Sequence, residues 1–271
     1  MTKAPLITHA SESELRRATL ASRFVTSAQF LSNEQVAFLL QNENHERIPE
    51  LLLMAANLGH DQRLAIPEMA KAGSSGIVIP SVLAQEWESF WKAEYSIKTD
   101  LSGLVIPPPP IGYKALLLVM HEKAAQSPEM LFRSDEKAYD GKVWKFANNS
   151  LDEAVPTHKL TGTFGAWVAD VQEAPDGCLA GINLSTKAVD ELGWVTETLP
   201  LRQVHGRKFF RIHSQHLDTK VITVCPGSRT VGGRVPGVHL GDGGHVCVDC
   251  WDAGLAYDSI RFRRAVVTSK L

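Results

Sequence analysis

Five residue types are missing from the last part of the chain, because residues 227–267 contain no Lys, Glu, Gln, Met or Asn. The same segment holds eight glycines and five arginines, and Lys and Glu are common in the rest of the chain. The absence of these five residue types over so long a segment therefore needs an explanation, either in the function of the segment or in the origin of its sequence.

The chain has no excess of charge of one sign, since its formal net charge is -2. Without an overall positive field, a general nucleic-acid or membrane-surface binder is not expected. Arg261, Arg263 and Arg264 form either a local basic patch or, as we favour, a solvated or internally paired cluster. We predict no nucleic-acid partner.

Long apolar runs are also missing. The longest, such as residues 115–120, are too short to cross a bilayer, and the N-terminus lacks the apolar stretch of a secretory signal. We therefore expect no membrane insertion and a location that is cytoplasmic or unknown. Four cysteines are too few for a disulfide scaffold in a chain of this size, so free thiols are expected.

Nucleotide-binding and hydrolase motifs are absent: there is no P-loop, no G-x-G-x-x-G after a strand, no G-x-S-x-G and no H-E-x-x-H. The Gly-Asp-Gly-Gly run at 241–244 predicts a hairpin turn, because a strand pattern and not a helix follows it. No catalytic residue and no cofactor are predicted, so the chain is not expected to be an enzyme.

An enzyme remains the first alternative, with His205, His213 or His239 acting beside Asp242 or Asp249. No carboxylate stands three or four residues after His205, His213 or His216 to form a clear dyad. The stretch around His205 and His213 also carries Lys and Arg, which indicates a solvated helix face.

The second alternative is a zinc-stabilised structural module built on His245-x-Cys247-x2-Cys250, with His239 nearby. Zinc needs about four converging ligands. In a strand, residues three apart point to opposite faces, and the chain has no second cysteine pair. We therefore predict no metal site.

The first hundred residues predict helices. Ser11-x-x-Glu14 and Ser32-x-x-Gln35 match capping boxes, and Leu83, Trp87, Phe90 and Trp91 recur at helical spacing. The prolines at 107–110 indicate a stiff spacer between a helical region, 1–105, and a second domain, 111–271. Homo-oligomerisation through the N-terminal helices is a further hypothesis.

The second domain predicts short strands and two helices. Strands are expected at 113–120, 164–171 and 220–225, and helices at 186–192, capped by Ser185, and at 199–213. The polar segment 134–149 predicts a loop.

The segment 246–251 alternates between aliphatic residues and residues of unrelated chemistry. Val246, Val248 and Cys250 should face one side of a strand, and Cys247, Asp249 and Trp251 the other. One face is suited to packing, and the other is free to carry a recognition surface.

Four short motifs of the C-terminal half resemble the closing segment of C-type-lectin-fold proteins, in particular the variable proteins diversified by diversity-generating retroelements. These share their fold with formylglycine-generating-enzyme-like domains. The motifs are Cys225-x-Gly227-Ser228-Arg229, Val235-Pro236-x-Val238, Val246-x-Val248 and Ile260-Arg261-x-Arg263-x-Ala265-Val266. The resemblance, over about 155–271, implies an α+β protein: a helical N-terminal region followed by a C-type-lectin-like mixed α/β domain with short antiparallel strands.

In that family a reverse transcriptase randomises bases at adenines, typically in Asn-type codons, and such codons cannot become Lys, Glu, Gln or Met. The resemblance thus accounts for the missing residue types and implies a variable segment at about 227–267. Trp251 is not reachable from such codons, so it is expected to be fixed on the same face. The ligand-binding residues implied in this way are Gly237, His239, Cys247, Asp249, Trp251, Asp252, Leu255, Tyr257, Ser259 and Phe262.

The expected function is recognition of a ligand, taken to be a protein, by a diversified C-terminal surface. Physical chemistry agrees, because a scaffold of buried aliphatic residues does not depend on the exposed ones. Burial of Val235, Val238, Val246, Val248 or Ile260 contributes roughly 1.5–3 kcal/mol each. Exposed substitutions usually change stability by no more than about 0.5 kcal/mol.

Overall fold

The computed structural model describes residues 76–108, 115–169 and 184–267. All of them lie within residues 72–271, which form one compact unit. The fold is mixed α/β and contains several antiparallel sheets. Both capping boxes predicted near the N-terminus, and the helices that they would begin, lie outside the described residues.

Six helices are described. They are α1 (Ser81–Tyr95), α2 (Glu122–Ala125), α3 (Pro128–Ala138), α4 (Leu151–Ala154), α5 (Thr186–Glu191) and α6 (Leu199–His213). In the described part of the chain, no helix has the length and apolar character needed to cross a membrane.

The strands are short, as predicted for residues 111–271. They are β1 (Ile77–Val78), β2 (Val105–Ile106), β3 (Ala115–Met120), β4 (Val143–Lys145), β5 (Thr157–His158), β6 (Phe164–Ala169), β7 (Ile222–Val224), β8 (Ser228–Arg229), β9 (Val235–Leu240), β10 (Val246–Trp251), β11 (Ile260–Arg261) and β12 (Ala265–Val267). Strands β1 and β2 lie in or at the edge of the region predicted to be helical.

The largest sheet has five strands in the order β11-β7-β9-β10-β4. Its central pairs, β7 with β9 and β9 with β10, are antiparallel, whereas its two edge strands, β11 and β4, pair in parallel with their neighbours. A second sheet has the order β12-β6-β3, and β1-β2 and β5-β8 form two-stranded ladders. The five-stranded sheet carries five of the ten predicted ligand-binding residues.

Helix α1 confirms the predicted amphipathic face, because Leu83, Trp87, Phe90 and Trp91 are all buried. The indole Nε1 of Trp91 donates to the carbonyl of Val119 at 3.1 Å, which ties α1 to β3. Residues 76–106 therefore pack against the C-terminal half. The predicted domain ranges, 1–105 and 111–271, stay a prediction, since residues 1–75 and 109–114 lie outside the described part.

Helix α6 spans the predicted residues. The Thr198 hydroxyl caps its start by accepting from the amide of Leu201. The predicted solvated face is wrong for much of this helix, because His205 and Lys208 are both buried. Lys208 Nζ instead bonds Glu86 and lies over the ring of Trp87. Arg207 and Lys208 of α6 are thus paired with Glu94 and Glu86, far away in the sequence.

The segment 134–149 was predicted to be a loop, and this is wrong for half of its length. It contains the last turns of α3 and all of β4. Ser127 caps the start of α3, because its side-chain hydroxyl accepts from the amide of Met130. Strand β4 forms because Val143 packs into the core and Lys145 Nζ is held by Glu129 at 2.7 Å. This strand completes one edge of the five-stranded sheet.

Candidate functional site

The candidate site is the outward side of the β9–β10 hairpin together with β4. The pairing register places Cys247 beside His239 on one side and beside Trp144 on the other. Since paired residues share a face of a sheet, these three side chains lie in one row. Asp249 lies one step further along β10, opposite Gly237.

The opposite side of the hairpin packs inward, as the alternation predicted. Val238 and Val248 join a core cluster with Phe132, Leu151 and Leu199 from α3, α4 and α6. Each buried aliphatic residue contributes roughly 1.5–3 kcal/mol, so this face holds the strands without help from the outward residues.

The outward side of the hairpin is exposed to solvent over only part of its length. At the far end of the hairpin Val235 is buried with Val224, Ile260 and Phe262, and the ring of Trp251 packs against this second cluster. The expectation of one packed and one free face is therefore correct for the half that carries His239, Cys247 and Asp249. It is wrong for the half nearest to β11.

Eight of the ten predicted ligand-binding residues reach solvent. Asp252, Leu255 and Tyr257 are exposed, and the other five are half-buried: His239, Cys247, Asp249, Trp251 and Ser259. Tyr257 is 49% exposed, the highest value for a predicted aromatic contact. The structure thus brings a strand row and the loop 252–259 to the surface.

Phe262 does not belong to this surface, because its side chain is 0% exposed. It packs with Val189 and Ile260 beneath the loop. The period-2 rule already contained this result, since Ile260 was expected to be buried and a residue two positions later points the same way. Phe262 is a core residue.

Gly237 is also buried and cannot be exchanged freely. A Cβ at this position would lie 2.6 Å from the ring of Trp251 and 2.9 Å from the backbone oxygen of Thr223. The absence of a side chain lets Trp251 lie across β9, where its ring meets that of His239 edge-on at 6.1 Å. Gly237 is thus part of the support for the outward row.

Trp144 is the surface residue that the sequence analysis missed. It lies on β4 and is 48% exposed. Its segment has a polar composition that hides a three-residue strand, and its partner Cys247 is about a hundred positions away. No local pattern points to it.

The two loops that frame β10 are held by their own backbones. The predicted hairpin turn at 241–244 is confirmed, with the Gly241 amide bonding the carbonyl of His245 at 2.8 Å and Gly244 at a φ of 71°. In the loop 252–259, the Asp252 carboxylate accepts from the amide of Gly254 at 2.8 Å. The side chains of Leu255 and Tyr257 take no part in these bonds.

The cysteines do not converge on a metal site. Cys247 and Cys250 point to opposite faces of β10, and burial raises the pKa of both thiols. Among the described residues, no group of three or more His, Cys, Asp and Glu side chains is placed to hold a metal ion.

The histidines named for the enzyme alternative lie apart. His205 is fully buried, and its Nδ1 lies 2.6 Å from Glu197 Oε1. Burial lowers the pKa of His205, against the opposing effect of Glu197. His239 is on the surface row, where partial burial also lowers its pKa although Asp249 acts to raise it.

A buried ion cluster supports the β9–β10 hairpin at the end of β9. Asp218 accepts from Arg202 Nε at 2.9 Å and from Arg263 Nη2 at 2.7 Å, and all three side chains are buried. The backbone oxygen of Asp218 also accepts from the amide of Leu240, at the end of β9, at 3.0 Å. Arg263 is thus internally paired, one of the outcomes weighed for the arginine cluster.

Comparison with known proteins adds no identity. A scan against protein-family models, a search of curated proteins and a search of solved structures each found no match to this chain.

Proposed function

We propose that this chain recognises a protein ligand through the outward row of the β9–β10 hairpin and the loop 252–259, on a C-type-lectin-like scaffold. The observation that carries this proposal is the alternation of buried and solvent-facing side chains along β10. Val248 is buried in the core while its neighbours Cys247 and Asp249 face solvent.

The surface has the composition of a binding site and not of a solvated face. Trp144, Trp251 and Tyr257 supply rigid aromatic groups, which dominate many protein interfaces. Exposed apolar residues gathered on one side of a small domain mark interaction sites. The hydrogen bonds described above for the two short loops use backbone groups and the Asp252 carboxylate, and they leave the side chains of Leu255 and Tyr257 available.

Diversification of residues 227–267 is the second part of the proposal. The missing Lys, Glu, Gln and Met support it, as does the placement of Cys247, Asp249, Asp252 and Tyr257 at the surface. Exchange at such positions costs no more than about 0.5 kcal/mol, so one scaffold can present many surfaces.

The DNA around the gene tests diversification. We expect a near-copy of the codons for 227–267 that differs mainly at adenines, with a reverse-transcriptase gene close by. The differing codons should fall on outward residues such as Asp249 and Tyr257, and not on Val238 or Val248. A near-copy that differs evenly at buried and exposed positions would contradict the proposal.

Recognition itself is tested by selection. A display library randomised at five outward positions, 247, 249, 252, 255 and 257, is panned against a small globular protein used as a model target. The matched control is a library randomised at five exposed positions on α2, its C-terminal flank and α3, namely 122, 123, 126, 133 and 137. We expect repeated binders from the first library only; equal yields from both would refute a specialised surface.

A further inference from the structure

The exposed face is defined here as Trp144, His239, Cys247, Asp249 and Trp251. Its Trp144 end is open, with that residue 48% exposed, whereas its Trp251 end packs against the second core cluster. Trp144 stacks on no other ring and on no cation within the described residues. Its indole is therefore available on a strand outside the proposed variable segment.

The segment 240–260, which passes this ring, carries charges of one sign only, although the exposed Lys142 lies two positions before Trp144. Residues 240–260 contain four aspartates, at 242, 249, 252 and 258, and no Lys, Arg or Glu. None of these carboxylates forms a salt bridge with a described basic side chain. The segment thus offers unneutralised negative charge around the exposed face.

The basic residues closest in sequence do not neutralise it. Arg234 donates to the carbonyl of Cys250, and Arg261 donates to the carbonyls of Asp258 and Ile260. Both guanidinium groups are therefore turned to backbone oxygens. Across β4, Lys145 is bound by Glu129 on the inward side of the sheet.

The geometry joins the aromatic ring and the nearest carboxylate. Trp144 is the ladder partner of Cys247, and Asp249 follows two positions later on the same face. Diagonal neighbours of this kind lie about 7–8 Å apart, within reach of one long side chain. A guanidinium or ammonium group fits both partners, because it stacks on an indole face and pairs with a carboxylate.

We propose that the protein ligand of this chain inserts a basic side chain, Arg or Lys, between Trp144 and Asp249, and that Trp144 is a fixed specificity-determining contact. This inference rests on the function proposed above. It goes further by stating the chemistry of the partner: a positively charged patch, with the aspartates at 242 and 252 drawing it to the face.

The probe that tests this inference is a naive peptide library displayed on phage and panned against the full chain at low salt. Three variants of the chain divide the binders by the surface they use. The first is the triple variant Asp242→Asn, Asp249→Asn and Asp252→Asn, and the second is Trp144→Ala. The third, a matched control that removes the same charge elsewhere, is Glu122→Gln, Asp140→Asn and Glu191→Gln, all at exposed residues.

We expect the peptides that depend on the exposed face to be enriched in Arg and Lys. Their affinity should fall about tenfold or more in the triple aspartate variant, because several charge pairs are lost together. It should fall about threefold to tenfold in Trp144→Ala, as expected for one cation–π contact. It should change less than about twofold in the control variant, and it should weaken as salt rises.

Each other outcome has a distinct meaning. Binders that need the exposed face but are neutral or acidic would overturn the basic-partner inference and leave the proposed function intact. Basic binders that lose as much affinity in the control variant would show attraction by general charge only, which also overturns it. If no binder depends on the exposed face, both the inference and the proposed function fail. Circular dichroism of each variant establishes that a lost affinity is not a lost fold.

Discussion

Replacing Asp218 by Asn tests whether the buried ion cluster holds the recognition hairpin in place. Asn keeps the size of the side chain and tolerates the left-handed backbone at this position, where φ is 57°. The substitution therefore removes the charge and turns one acceptor oxygen into a donor that faces arginine N–H groups. It leaves Arg202 and Arg263 buried without their common partner.

The expected cost is large because both arginines are almost without access to water. Removing one partner of a buried ion pair destabilises a protein by about 3–5 kcal/mol. With an m-value of about 2 kcal/mol per M, the urea midpoint should fall by about 1.5–2.5 M. Equilibrium unfolding at pH 7, followed by tryptophan fluorescence and by far-ultraviolet circular dichroism, measures this shift.

The matched control is Asp242→Asn, which removes an exposed carboxylate at the hairpin turn. Its cost should stay within about 0.5 kcal/mol. A midpoint shift for Asp218→Asn as small as that of the control would refute the account of the cluster.

The pH dependence of the free energy of unfolding gives a second test of the cluster formed by Asp218, Arg202 and Arg263. Burial acts to raise the pKa of Asp218, but Arg202 and Arg263 together outweigh it and hold that pKa below its ordinary value. The stabilisation is thus complete above the pKa of an unfolded aspartate, about 3.9, and is lost as the pH falls through the lower pKa of the folded state. The difference between wild type and Asp218→Asn should therefore shrink in acid.

Two further outcomes follow from the same structure. Gly237→Ala should destabilise the protein by about 1–3 kcal/mol, because the new Cβ meets a ring and a backbone oxygen. The control Gly232→Ala should be nearly neutral, because a Cβ at that position meets nothing within 4 Å. Equal urea midpoints for the two variants would contradict this prediction. Burial lowers the pKa of His205 and brings that of His158 to about 4. As the pH falls below about 6.5, the ordinary pKa of histidine, the unfolded chain therefore binds protons at these two positions while the folded chain does not. Stability should therefore fall between pH 7 and pH 5, by up to about 1.4 kcal/mol per pH unit for each histidine that stays neutral, and a flat urea midpoint over that range would be the contrary result.

Local patterns predicted the local structure well. The β10 alternation, the Gly-Asp-Gly-Gly turn and the Ser185 cap of α5 each depend on residues within a few positions of one another, and all are present. Helix α6 was placed correctly for the same reason, since its cap and its apolar positions lie within one stretch of sequence.

Long-range partners decided what could not be predicted. Glu197 reaches His205 around the start of a helix, and Asp218 gathers arginines from two distant segments. Polar residues that are paired in this way look solvated in the sequence, which is why α6 was expected to face water. Trp144 was missed because β4 pairs with a strand about a hundred residues later.

The predicted ligand-binding residues divide along the same lines. Cys247 and Asp249 follow from strict alternation within one strand, and both reach solvent. Gly237 is buried because Trp251 lies across β9, a feature set by tertiary packing, whereas the burial of Phe262 follows from that of Ile260 two positions before it.

The measurement that most directly tests the central claim compares two displayed libraries for resistance to protease. Each is fully randomised at five positions of the same hairpin and its following loop. The outward library covers Cys247, Asp249, Asp252, Leu255 and Tyr257. The inward library covers Pro236, Val238, Val246, Val248 and Cys250. We predict that most outward members keep the protease resistance of the parent chain and that nearly all inward members lose it; similar losses in both libraries would contradict a scaffold that holds its shape independently of its recognition surface.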